Sequence, residues 1–262
     1  MGHARDTALD RAGRWLARRL NQPSAGYCPF TPSDYDSLCR TLEPGDVLLV
    51  EGRERISNAI KYLTQSTWSH AAVFVGDRMP RPEDGSERPR LIEVTLEAGC
   101  EAVPLSKYAR HNTRICRPRG LTRAERAQVV EFMVARIGLR YDLRNILDLL
   151  RYFLPTPPVP VRWRRRMIAF GSGDPTRAIC SSLIAQAFQS VGFPILPDIS
   201  VVETGEGPTY SRREIYHIRD SALFAPRDFD LSPWFEIVKP APDGGIDHRS
   251  VGWGQPEPLG PA

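Results

Sequence analysis

Cys180, His70 and Glu93 are the residues whose types and settings could do covalent chemistry. Cys180 opens the apolar-striped segment Cys180-Ser181-Ser182-Leu183-Ile184, which continues through Ala185, Ala187 and Phe188. A thiol in the first turn of a helix lies among unpaired backbone N–H groups, whose partial positive charge favours the thiolate. His70 stands at the entrance to the apolar run Ala71-Ala72-Val73-Phe74-Val75, and Glu93 lies in the later run Leu91-Ile92-Glu93-Val94. An adjacent imidazole and a helix start can lower a thiol pKa from ~8.5 into the ~3.5–7.5 range. A carboxylate can then fix the tautomer of that imidazole and stabilise its cation. The chemistry these three groups could perform is nucleophilic attack on an acyl carbon. From spacing alone Cys180 is also an ordinary core residue, because a free cysteine packs like a small hydrophobe.

These residues need elements to carry them. The turn Leu42-Glu43-Pro44-Gly45-Asp46 predicts a strand over residues 47–51. A helix is expected over 55–63, followed by a polar loop at 64–69 that delivers His70 to the next strand. There His70, Ala72 and Phe74 share one face and Ala71, Val73 and Val75 the other. Residues 78–89 read as a loop and 91–94 as a strand with Glu93 on the face of Leu91. An antiparallel hairpin of these two strands would bring Glu93 within reach of His70. Thr122-Arg123-Ala124-Glu125 is a capping box for a helix through Val129, Val130, Phe132, Met133 and Ile137, with Gly138 as its C-terminal stop. A second helix is expected over 142–153. The Cys180 helix is expected to run to Val191 and stop at Gly192-Phe193-Pro194, with Cys180, Ile184, Ala187 and Val191 as its inward stripe. Residues 235–238 read as a last short strand. His111 reads as a turn residue, and His3, His217 and His248 as surface residues.

Composition narrows the class. A chain of 262 residues with 41% hydrophobic and 25% charged residues can bury one substantial core. The expected organisation is an amphipathic helix and linker over 1–39, a single domain over 40–239 and a disordered Pro/Gly-rich tail over 240–262. The helix at 7–20, with Leu9, Leu16 and Leu20 against Arg11, Arg14, Arg18 and Arg19, either lies on an anionic membrane surface or packs on the domain. The run Arg162-Trp163-Arg164-Arg165-Arg166 carries the same pair of readings. Five cysteines without CxxC spacing, and no secretory apolar segment, point to reduced thiols in the cytoplasm with possible peripheral membrane contact. No metal site and no cofactor are expected, and a net charge of +4 is too small to imply nucleic acid as a partner.

Taken in order, residues 42–50, Ser69-His70-Ala71-Ala72-Val73-Phe74-Val75-Gly76, Leu91-Ile92-Glu93 and Cys180-Ser181-Ser182-Leu183-Ile184 resemble the YiiX/YebB-like branch of the NlpC-type cysteine hydrolases. Those are circularly permuted papain-like proteins, related more distantly to the lecithin:retinol acyltransferases. Their His…Glu…Cys order is the reverse of papain's. The resemblance spans roughly residues 40 to 240 and implies an α+β fold, with an antiparallel sheet packed on helices and the nucleophile at a helix N-terminus. It implies Cys180 as nucleophile, His70 as base and Glu93 as the acidic partner. Gly138-Leu139-Arg140-Tyr141-Asp142 resembles the family's G-x-x-Y-D element, whose Tyr141 would either donate to an oxyanion or fill the core. Ser182 departs from the acidic residue that many relatives carry after the Cys-Ser pair, and the Pro/Arg-rich stretch at 154–166 is longer than a minimal member needs. The implied function is a thiol-dependent hydrolase or acyltransferase acting on amide or ester bonds of a lipid-like or acyl/peptide substrate. The other reading is a non-catalytic lipid- or peptide-binding module that retains the fold. The two basic segments favour an amphiphilic substrate.

Overall fold

Val47, Leu48, Leu49 and Val50 are all buried. A strand that is apolar on both faces can only be satisfied inside a sheet covered on both sides, and the whole architecture is arranged around this one. The computed structural model describes residues 34–95, 97–139, 179–204 and 211–239. In chain order the main elements begin with α1 (Tyr35–Thr41), β1 (Val47–Val50), α2 (Arg55–Thr64), β2 (His70–Phe74), β3 (Pro89–Thr95), β4 (Gly99–Pro104), β5 (Thr113–Pro118) and α3 (Arg123–Val134). After the stretch without description come α4 (Ile179–Gln189), β6 (Asp198–Thr204), β7 (Ser211–His217), α5 (Pro226–Leu231) and β8 (Phe235–Val238). The main sheet has six antiparallel strands in the order β4-β3-β2-β1-β5-β8, while β6 and β7 form a separate hairpin. The fold is α+β, an antiparallel sheet with helices packed on it.

Alternation divides the apolar side chains between two cores. Val47, Leu49, Ala71, Val73 and Ile92 face the side covered by α3 and α4. Leu48, Val50, Ala72, Phe74 and Leu91 face the side closed by Leu38 of α1 and by the 3-10 turn Leu105–Tyr108. The faces assigned to His70 and Glu93 from period-two alternation are the faces they occupy.

The helix ends refine the expectations. Thr122 and Glu125 form the expected capping box, the Glu125 carboxylate accepting from the Thr122 N–H at 2.7 Å. The helix stops at Val134, earlier than expected, because Arg136 and Ile137 donate to carbonyls only three residues back. Gly138, at φ +89°, instead turns the chain onto β4, donating to the Cys100 carbonyl at 2.8 Å. In α4 the expected single stripe is too narrow: from Cys180 to Phe188 only Gln186 is exposed, so this is a central core helix. Its end is a Schellman motif, in which Phe193 N–H donates to Phe188 C=O at 3.0 Å and Gly192 N–H to Gln189 C=O at 2.9 Å. Gly192 takes the left-handed conformation this closure demands, at φ +70°. The helices expected at 7–20 and 142–153, the basic run at 162–166 and the tail at 240–262 lie outside the described residues. No helix among the described residues is long and apolar enough to cross a membrane.

Candidate active site

His70 is the first residue of β2, and the chain leading to it is held from three directions. Gln65 ends α2 in the left-handed conformation, φ +50°, an uncommon backbone state for a non-glycine residue, and turns the chain into the loop. Trp68 is buried; its indole N–H donates to Asp230 of α5 at 3.1 Å, and the Arg114 guanidinium lies over its ring at 4.9 Å. Ser69 donates its N–H to the Val50 carbonyl at 3.2 Å, and its hydroxyl accepts from the Gly52 N–H at 2.9 Å. The imidazole that follows is fixed by backbone as well as by packing.

Glu93 lies on β3, where it pairs with Ala72 of β2, so His70 is its diagonal neighbour on the same face. The diagonal spacing is within reach of two long side chains. His70 Nε2 and Glu93 Oε2 are 2.8 Å apart, with the carboxylate 0% exposed and the imidazole 19% exposed. The hairpin expected from the sequence therefore forms, and it joins these two residues.

Glu93 has two further donors. The Tyr108 hydroxyl donates to Oε2, the oxygen that also faces His70, and the Lys107 ammonium donates to Oε1. The Tyr108 ring stands 6.1 Å from the His70 ring, and His111 meets Tyr108 edge-on at 5.4 Å. His111 does sit in a turn, its N–H donating to the Tyr108 carbonyl. Lys107 and Tyr108 were absent from the sequence expectations. The visible signal would have been the hairpin of β3 with β4, which sets Glu93 opposite Glu101 and drops the following 3-10 turn beside it.

Cys180 occupies the first turn of α4, as expected, and is 5% exposed. Its sulfur lies 3.8 Å from the Ser181 hydroxyl and interacts with His70. The ladder between β2 and β3 starts at Ala72, and the backbone of Ala71 just before it contributes to the lowered pKa of the sulfur. The structure thus brings together Cys180, His70 and Glu93 from three separate elements. Tyr141 lies outside the described residues.

The electrostatics form one coupled unit. Burial acts against ionisation of Cys180, but the His70 cation, its hydrogen bond and those from Ser181 and the Ala71 backbone outweigh it, and the thiol pKa is lowered. Burial likewise acts against the His70 cation, yet the facing Cys180 and Glu93 raise its pKa to about 10. For Glu93 burial is outweighed by His70 and Lys107, and its pKa falls to about 2. The other buried thiols go the opposite way: burial pushes Cys100 up to about 11 and Cys116 also well upward. The directions of these shifts favour charge separation, a thiolate–imidazolium pair backed by a carboxylate.

This contrast sets an expectation for labelling. At pH 6, iodoacetamide should alkylate Cys180 at least ~10-fold faster than Cys100 and Cys116, since only a thiolate reacts. Peptide mapping by mass spectrometry reads the outcome, and equal rates at the three thiols would refute the ion pair.

The family described as permuted papain-like amidase enzyme, YaeF/YiiX, C92 family, matches residues 41–153, a span that includes His70, Glu93, Lys107 and Tyr108. Over that span the chain is similar to the YaeF/YiiX family. It is a family of hydrolases, and its permuted papain-like fold is the architecture described above. A relative, the probable lipoprotein peptidase YaeF of Escherichia coli (strain K12), is 23% identical over 240 residues, covering 84% of this chain and 79% of its own. The chain is also similar to the crystal structure of metalloprotein yiiX from Escherichia coli O157:H7, with a TM-score of 0.44 and 14% identity over 76% of this chain and 97% of that one. Among the described residues, no three His, Cys, Asp or Glu side chains converge as a metal centre requires.

Proposed function

We propose that this chain is a thiol amidase in which Cys180 is the nucleophile, His70 the acid and base, and Glu93 the group that orients His70. The observation that supports this most directly is the continuous line from the buried Glu93 carboxylate through His70 to a sulfur with a lowered pKa.

In the resting pair the proton already resides on His70. The thiolate attacks the amide carbonyl carbon, and the oxyanion is met by backbone N–H groups at the start of α4. The C–N bond then breaks as His70 gives its proton to the departing amine, leaving an acyl-thioester on Cys180. Neutral His70 takes a proton from water, the resulting hydroxide attacks the thioester, and the C–S bond breaks. The carboxylic acid leaves and the thiolate–imidazolium pair is restored. An acceptor alcohol or amine in place of water makes the same intermediate a donor for acyl transfer. Glu93 stays ionised throughout and stabilises the His70 cation.

The substrate class proposed is an acylated peptide. The family is described as amidase, and the relative named above as a probable lipoprotein peptidase. The test is a panel of lipidated peptides, γ-glutamyl peptides and phospholipids incubated with the full chain and acid-quenched within one turnover. Intact-mass and peptide analysis should find an acyl adduct on Cys180 for the substrate that releases amine. Amine release with Cys180 unmodified in every quench would overturn the covalent reading, and retention of ligand without release would favour a binding module.

A further inference from the structure

We propose that Lys107 and Tyr108 are positioning residues of this site, a clamp that keeps Glu93 ionised and in one rotamer so that Cys180 keeps its thiolate. The proposal rests on the Cys180–His70–Glu93 reading above and extends it to two residues that touch neither thiol nor imidazole by hydrogen bond.

Glu93 is fully buried, and a carboxylate with a single neutral partner in such a place takes up a proton rather than remain charged. A neutral Glu93 could no longer hold the imidazolium, and without the imidazolium the thiolate loses its main support. The 3-10 turn after β4 supplies what burial removes. Lys107 brings a full positive charge to Oε1, and its ammonium also lies 4.0 Å from Glu101, the residue directly across β4 from Glu93. Lys107 thereby neutralises a second carboxylate whose repulsion would otherwise favour protonation of Glu93. Tyr108 brings a hydroxyl to Oε2, so that oxygen has two donors, the phenol and His70. With both oxygens engaged, the carboxylate cannot rotate away from the imidazole.

The remaining charged and titratable groups nearby do not substitute for the clamp. His70 faces Glu93 from β2 and Glu101 from β4. Burial first, then Glu93 itself, with smaller contributions from Glu54 and Cys180, raise the Tyr108 pKa, which keeps the phenol protonated and therefore a donor. Arg53 and His111 lie beyond Tyr108; the His111 Nδ1 atom is buried without a hydrogen-bond partner. None of these can donate to Oε1 in place of Lys107. Lys107 is 39% exposed, so its side chain is held there by the carboxylates and not by a surrounding core.

The experiment is the pH dependence of Cys180 alkylation in the full chain, read by peptide mapping for wild type, Lys107→Met, Lys107→Arg and Tyr108→Phe. The wild-type midpoint should lie below the ordinary thiol value of ~8.5. Lys107→Met and Tyr108→Phe should each raise it by about one pH unit, while Lys107→Arg, which keeps the charge, should stay within about 0.3 unit of wild type. Tyr108 is buried, and should its variant fail to fold, the exposed Lys107 pair decides the matter alone. A low wild-type midpoint that neither variant moves overturns the clamp and leaves the nucleophile in place. A wild-type midpoint at the ordinary thiol value overturns both readings.

Discussion

Cys180→Ala will lower kcat/KM by at least about 10³-fold on whichever amide substrate the panel reveals. The size follows from the role proposed for the sulfur: it would make the covalent intermediate, and the remaining binding and oxyanion contacts cannot make one. His70→Ala should cost a similar factor, and the double variant should cost little more than either alone. Groups that act as one unit lose their effect at the first removal. The substitution is structurally mild, since Cys180 lies in the first turn of a buried helix and alanine preserves helix propensity. Initial-rate kinetics on the three variants, with circular dichroism to show retained fold, decide the matter. A Cys180→Ala enzyme within tenfold of wild type would remove the nucleophile from this site.

The residues of this unit were unequally legible. His70 and Glu93 stand out because each is a polar residue in an apolar strand, and alternation together with the expected antiparallel hairpin brings them within reach. Cys180 stands out because its helix is apolar almost throughout. The strands β4 and β5 were not legible, and the reason is chemical. β5 carries Arg114 and Arg117, which read as surface charges; in the fold they are spent on Asp230, at 2.7 Å, and on the fully buried Asp46, at 2.8 Å. Both ion pairs join residues more than seventy positions apart. A pattern that treats charge as exposure cannot see a strand whose charges are internally paired. β4 has a similar flaw, with Glu101 in its centre facing Lys107 and a proline at its end. Missing β4 concealed Lys107 and Tyr108, because only the hairpin register brings the turn after it onto Glu93. The α1 helix was hidden by its shortness: seven residues capped by Asp34 through a 2.9 Å bond to the Ser37 N–H carry too little periodicity to register.

Phe188→Ala will destabilise the fold by about 3–5 kcal/mol, the range for truncating a fully buried aromatic side chain. Phe188 is fully buried, and its ring lies 5.4 Å from Phe193 and 5.2 Å from Phe235, the latter edge-on. Phe235 in turn meets Phe229 edge-on at 5.7 Å, so one ring anchors α4 to β8 and, through it, to α5. The same residue accepts the Phe193 N–H in the Schellman closure, and the ring contact is the apolar half of that motif. Truncation therefore opens a cavity and loosens the helix stop together. Urea denaturation should show the midpoint falling with little change in slope, a large loss against a total of ~5–15 kcal/mol. A loss below about 1.5 kcal/mol would mean that the surrounding rings collapse into the gap and do not depend on Phe188. Cys180 and Phe188 sit toward opposite ends of α4, separated by two turns of buried backbone. The folded fraction of Phe188→Ala should therefore keep the wild-type alkylation midpoint at Cys180, while Lys107→Met shifts that midpoint and leaves the urea transition nearly in place. Opposite responses in the two measurements would separate what holds the helix from what charges its first turn.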